Sequence, residues 1–200
     1  MRFKFLIYIV LIAGVLFAQK AKIGEKAPGF TLKDVDGKER SLSEFEGKTV
    51  VLEWVNYDCP FVRKHYESGN MPALQKKYTG EGVVWLSICS SAPGAQGNFS
   101  SSEIKEKAAG YGAKFTDYLE DESGKVGKEY GAKTTPHMFV INPEGILVYA
   151  GGIDDKPSTD KDDIPIAINY VAAALNSIME GKPVEIKTAR PYGCSVKYKD

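Results

Sequence analysis

The sequence has no net charge and no basic run: 26 Lys and Arg balance 26 Asp and Glu over 200 residues. That balance excludes nucleic acid as the main partner, because binding a polyphosphate needs clustered cations. Cysteine is scarce, at three residues, too few for a disulfide scaffold but enough for redox chemistry. No internal repeat and no low-complexity linker divides the chain. The longest uncharged apolar run is 14 residues, at positions 5–18, short of the roughly 20 needed to span a bilayer. What is present is a globular composition, 43% hydrophobic and 11% aromatic, which excludes a disordered chain. The length suits one domain with a full core, which folds without a metal or disulfide staple.

Arg2 and Lys4 precede the apolar run and Ala18 ends it. This is the pattern of a secretory signal peptide over residues 1–18, leaving a folded domain over 19–200 with a tail from about 182. The alternative is an uncleaved N-terminal anchor. Both readings place the domain outside the cytoplasm, periplasmic or secreted, where disulfides persist. Cleavage leaves no stable membrane insertion.

The body of the chain alternates strand and helix patterns. Val50, Val51, Leu52, Trp54 and Val55 form a nearly continuous apolar run, which reads as a strand buried on both faces. Residues 83–88 form a second, and 137–142 and 146–150 two more, separated by the turn sequence Pro143-Glu144-Gly145. Helical patterns cover 60–78 with a break near Ser68-Gly69-Asn70, a segment opened by the Ser100/Glu103 capping box, 123–130, and 164–180. In the last, Ile164, Ile168, Val171, Leu175 and Ile178 form one apolar face. The order predicts an α/β domain with a single mixed sheet and helices on both faces: the first two long strands parallel, the last two an antiparallel hairpin. The aspartate-rich segment 154–163 reads as a solvated surface loop, and His65 as a solvated helix residue.

Cys59 falls where the first buried strand gives way to its helix, with Pro60 next. Proline suits the first helical turn, so the thiol sits at the helix N-terminus, where backbone N–H groups and the dipole favour the thiolate. An ordinary thiol, with pKa about 8.5, is only about 3% ionised at pH 7. Lowering that value to about 6 requires roughly 3.4 kcal/mol, whereas a helix end supplies about 0.3–2 kcal/mol. A cation or direct hydrogen bonds must provide the remainder, and Arg63 is the sequence's candidate.

These residues give the chain a resemblance to the thioredoxin superfamily, and within it to the peroxiredoxin-like alkyl hydroperoxide reductase / thiol-specific antioxidant family. Residues 24–32 (GEKAPGFTL) are similar to that family's opening strand, residues 54–60 (WVNYDCP) to its active-site segment, and Thr134-Thr135-Pro136 to the superfamily's cis-proline loop. The resemblance implies a thioredoxin-like fold over roughly residues 23–181. It also implies Cys59 as catalytic thiol and no bound cofactor or metal; Asn56, Pro60, Arg63, Thr135 and Pro136 are expected around the substrate. Two departures stand out. The third residue after Cys59, where a C-x-x-C site has its second cysteine, is Val62. Asn56 stands where standard peroxiredoxins carry Thr or Ser.

The remaining cysteines offer partners. Cys89 ends the second buried strand, at the sheet edge where the first also finishes, and Cys194 lies in the tail. Cys59–Cys194 ranks ahead of Cys59–Cys89. The expected activity is antioxidant: Cys59 thiolate attacks a hydroperoxide, giving a sulfenic acid, or a disulfide, giving a mixed disulfide. Either route draws on an external thiol reductant, such as a second thioredoxin-like protein. The rival readings are a copper-binding chaperone of the same fold, using Cys59 and His137, and a non-catalytic redoxin domain that binds a partner.

Overall fold

The computed structural model describes residues 20–199, so the expected signal segment over 1–18 lies outside the described residues. The chain opens with an antiparallel hairpin, β1 (Thr31–Asp34) and β2 (Glu39–Ser41), turned at Gly37 with φ 77°. Next come β3 (Val50–Trp54), α1 (Pro60–Glu67), α2 (Asn70–Gly80) and β4 (Val84–Cys89). They are followed by α3 (Ser101–Tyr111), β5 (Asp117–Glu120), α4 (Lys125–Tyr130), the two-residue β6 (Thr134–Thr135), β7 (His137–Ile141), β8 (Leu147–Gly151) and α5 (Tyr170–Met179). The two-residue β9 (Cys194–Ser195) lies in the tail.

Seven strands form one mixed sheet in the order β2-β1-β5-β4-β3-β7-β8. β3 and β4 run parallel and β7–β8 is an antiparallel hairpin, as the connections predict. Alternation along β3 makes both faces. Val51 and Val55 enter a cluster with residues of α1, α2, α3 and α5, while Val50, Leu52 and Trp54 enter a second with α4, Phe30 and Phe45. The fold is therefore α/β with helices on both faces. β6 and β9 pair separately as a small antiparallel ribbon, an element beyond the single expected sheet.

Three sequence expectations change. The last helix starts at Tyr170 rather than at 164. Residues Lys161–Ile166, including Pro165, form a 3-10 turn, Ile168 is 57% exposed, and Asn169 caps the helix by accepting from Ala172 N–H at 2.8 Å. The cap fixes the start, and Val171 and Leu175 keep the buried stripe. β5 was not legible, since only Tyr118 and Leu119 of its four residues are apolar; pairing with β4 and β1 makes the strand. The aspartate-rich loop is not wholly solvated: Asp154 is 3% exposed.

Candidate active site

Beyond Trp54 the chain turns through residues 55–58 into α1. Asn56 builds that turn: its Oδ1 accepts from Asp58 N–H at 2.9 Å, and its carbonyl accepts from Cys59 N–H at 3.0 Å. Cys59 is the N-cap of α1, with φ −75° and ψ 123°, and Pro60 is the first helical residue. The sulfur therefore sits at the positive end of the helix. Opposite it, the Thr135–Pro136 peptide bond is cis, and Thr135 O accepts from the Cys59 thiol at 3.0 Å.

The tail completes the site. After α5 it returns along β8, with Ala150 N–H donating to Lys187 O at 3.1 Å and Ala189 N–H to Ala150 O at 3.4 Å. It then crosses the β-edge, where Cys194 pairs with Thr135 and Ser195 with Thr134. Cys194 N–H donates to Cys59 Sγ at 3.4 Å. Gly193, at φ 128°, permits this approach, because a Cβ there would overlap the Thr135 carbonyl. Past the site, Val196 N–H donates to Lys133 O at 3.1 Å and Tyr198 Oη to Ala132 O at 2.8 Å. The tail thus lies over Cys59, which is 0% exposed.

Burial pushes the Cys59 thiol up. It is outweighed by the Cys194 thiol, the Thr135 hydroxyl and the backbone N–H groups of Cys194 and Val62, which together leave Cys59 more acidic than an ordinary thiol. The Thr135 hydroxyl is buried and makes no hydrogen bond of ordinary geometry among the described residues, which leaves its proton available to a Cys59 thiolate. Cys194 moves the opposite way, up to about 11, through burial and the adjoining Cys59. The pair is thus a more acidic thiol beside a less acidic one, and no disulfide joins any of the three cysteines.

Other sequence candidates are placed elsewhere. Arg63, expected to favour the thiolate, is 53% exposed at its side chain, and its Nε donates to Glu67 Oε1 at 2.8 Å; hydrogen bonds supply what the cation was expected to give. Asn56, expected at the substrate, spends its amide on Asp58 N–H and on Gln96 O at 3.3 Å. The Cys89 thiol donates to Gly97 O at 3.3 Å, among Ile104 and Tyr118, so the structure brings Cys194 rather than Cys89 to Cys59. His137 lies on the sheet face of Phe139 and Ile141, whereas Cys59 belongs to the cluster of Met138 and Val140 on the other. Its Nδ1 accepts from Lys133 N–H at 3.2 Å. Strand alternation therefore separates the two donors of the copper reading. His65 is not solvated but fully buried. Sequence reasoning missed Tyr192 in the tail and its partners His65 and Asp154; Gly193 beside Cys194 was the signal for a close approach there.

A cleft of about 720 Å³ runs beside the tail, bounded by Thr134, Asp154, Arg190, Tyr192 and Gly193. A second, of about 450 Å³, lies at the other end of β3, around Lys26, Phe45, Val50 and Ile141. The first reaches Thr134 and Gly193, the chain neighbours of Thr135 and Cys194.

Comparison with known proteins agrees with this geometry. Residues 23–150 match the AhpC/TSA family, so α5 and the tail with Cys194 lie beyond the match. The thiol-disulfide oxidoreductase ResA of Bacillus subtilis (strain 168) is 31% identical over 140 residues, covering 68% of this chain and 72% of that protein. The chloroplastic peroxiredoxin Q of Oryza sativa subsp. japonica is 33% identical over 146 residues, covering 65% of this chain and 58% of that protein. Among solved structures, an uncharacterized conserved protein from Geobacillus kaustophilus superposes with a TM-score of 0.77 at 30% identity, covering 89% of this chain and 93% of that one. With a buried cysteine at the N-cap of α1, a cis-proline loop opposite and a match spanning most of the sheet, this chain belongs to the AhpC/TSA family, in its thioredoxin-like fold.

Proposed function

We propose that the protein is a thiol-disulfide oxidoreductase acting outside the cytoplasm, with Cys59 as nucleophile and Cys194 as the thiol that resolves its adduct. The observation that carries this reading is the contact of Cys194 with Cys59 Sγ, its N–H at 3.4 Å, beside the buried Thr135 hydroxyl. The resemblance to ResA points the same way. The extracytoplasmic setting rests on the Arg2/Lys4 start and the apolar run after it.

The chemistry follows from the two acidities. Cys59 thiolate attacks one sulfur of a substrate disulfide, the substrate S–S bond breaks, and one thiolate leaves and takes up a proton. Cys194, losing its proton, attacks the Cys59 sulfur of the mixed disulfide and releases the second substrate thiol. The substrate gains two electrons, the protein ends with a Cys59–Cys194 disulfide, and an external dithiol returns the electrons. Because Cys59 is covered, the tail must lift for the first step. The cleft beside it accommodates an extended segment or small molecule. Family membership and the peroxiredoxin Q resemblance favour a second substrate class, hydroperoxides. There Cys59 attacks the O–O bond, an alcohol or water leaves, and the sulfenic acid condenses with Cys194 with loss of water.

Mass spectrometry of reduced protein mixed with a small disulfide, or with hydrogen peroxide, tests both classes. The expected product is a Cys59–Cys194 disulfide. Cys59→Ser yields none, and Cys194→Ser stops at the mixed disulfide or sulfenic acid. The faster oxidant identifies the substrate class. A wild-type protein whose Cys59 reacts no faster than a free thiol at neutral pH would sink the enzyme reading.

A further inference from the structure

Tyr192 precedes Cys194 by two residues, with Gly193 between them. Its ring packs edge-on against Phe61 of α1, centroids 5.8 Å apart. Its hydroxyl is shared between two buried partners: it donates to Asp154 Oδ1 at 2.5 Å and lies 3.1 Å from His65 Nε2. The Asn70 amide lies 2.9 Å from His65 Nδ1. With that amide donating, the ring proton is on Nε2, and a consistent chain follows: Asn70 to His65, His65 to Tyr192, Tyr192 to Asp154. Asp154 also accepts from Lys156 N–H at 2.9 Å. Lys64, next to His65 in α1, is buried with its Nζ on Lys156 O at 3.1 Å.

Helix α1 therefore carries the nucleophile at its N-cap and grips the tail through Phe61 and His65. Downstream of Cys194 the tail is held by Val196 N–H and Tyr198 Oη on the Lys133 and Ala132 carbonyls; directly upstream, a side-chain network fixes it against the helix that bears Cys59. We propose that Tyr192, held by His65 and Asp154, is the positioning residue that sets Cys194 onto Cys59 and so governs closure of their disulfide. The proposal rests on the function proposed above.

Tyr192→Phe in the full-length protein tests it, because the ring contact with Phe61 survives while the hydroxyl is lost. Three quantities are read: the equilibrium of the Cys59–Cys194 disulfide against a glutathione redox buffer, the midpoint of Cys59 ionisation by thiolate absorbance, and the alkylation rate of Cys194. The disulfide equilibrium constant falls about tenfold, as loss of a hydrogen bond to a charged group implies. Cys59 ionises at higher pH and Cys194 alkylates faster. Asp154→Asn, which leaves the tyrosine intact and removes the charge, shifts all three in the same direction and serves where Tyr192→Phe does not fold. A purely structural Tyr192 lowers the melting temperature and leaves the equilibrium and the midpoint unchanged, which overturns the proposal. If the wild type closes no Cys59–Cys194 disulfide, the functional reading falls and the clamp with it. If the wild type closes it and both variants match it, the clamp alone falls.

Discussion

Cys59 is an acidic thiol in a fully buried place, and the balance is set by short-range donors. Each unit of lowering needs about 1.36 kcal/mol, more than an exposed helix end reliably gives, so donors supplied by Cys194 and Thr135 carry weight. Cys194→Ala removes one of them while keeping the backbone N–H, and the Cys59 ionisation midpoint rises, measured by thiolate absorbance. Arg63→Ala leaves that midpoint in place, since the guanidinium is committed to Glu67. Glu53 is the other residue whose burial needs explaining. Its carboxylate accepts from Tyr66 Oη at 2.9 Å, Gln75 Nε2 at 3.1 Å, Trp85 Nε1 at 2.8 Å and Ser87 Oγ at 3.1 Å, tying β3 to α1, α2 and β4. Glu53→Ala leaves these donors without their acceptor and costs about 3–5 kcal/mol, read as a fall in urea midpoint; Glu53→Gln costs less.

Among the elements, the tail departs furthest from what local pattern suggests. It has no helix and one two-residue strand, yet it fits the body closely: Tyr198 lies over Gly124 and Gly127, and Ala189 over Gly151, where a Cβ would collide. Gly193→Ala forces the strap off the Thr135 carbonyl. Its expected result is faster alkylation of Cys59 by iodoacetamide with loss of disulfide closure. A chain ending at Ala189 does the same more completely, gaining the first reaction and losing turnover. Unchanged alkylation in both variants would mean that the tail does not govern access. The helices expected from sequence match the structure where a cap or breaker marks them: Ser100 with Glu103 opens α3, Gly112 closes it, and Gly69 at φ 78° separates α1 from α2. They fail at residue 164, where apolar spacing had no cap to bound it.

At the scale of the molecule, pH acts on stability through buried titratable groups. Burial, reinforced by Lys64, holds His65 down at about 3, and burial with Lys133 holds His137 at about 4. Both folded values lie below the ordinary 6.5, so the unfolded chain takes up protons first as pH falls. The stability these rings contribute is complete above about 6.5 and is lost between there and their folded values. Each contributes about 2 kcal/mol of loss by pH 5. Glu53 opposes this, because burial raises its folded pKa and its protonation favours the native state as pH falls. Urea denaturation at pH 7 and pH 5 is expected to show a net loss, smaller in His137→Gln, which cannot titrate. Equal loss in that variant would remove His137 from the account.

The sequence alone is enough to predict the α/β order, the parallel β3–β4 pair, the β7–β8 hairpin and the placement of Cys59 at a helix start, because these follow from apolar runs, proline at the first helical turn and glycine at a helix end. It named Cys194 as the preferred partner without saying how it arrives. Packing in three dimensions settled that Arg63 turns to Glu67, that Asn56 is consumed in its own turn, that His65 and Asp154 are buried, and that β5 exists. It also decided that the tail returns more than a hundred residues after Cys59 to cover it. Such contacts join positions distant in the chain through glycine-sized gaps and shared hydrogen bonds. No local periodicity encodes them, since each exists only when the other side of the contact is already in place.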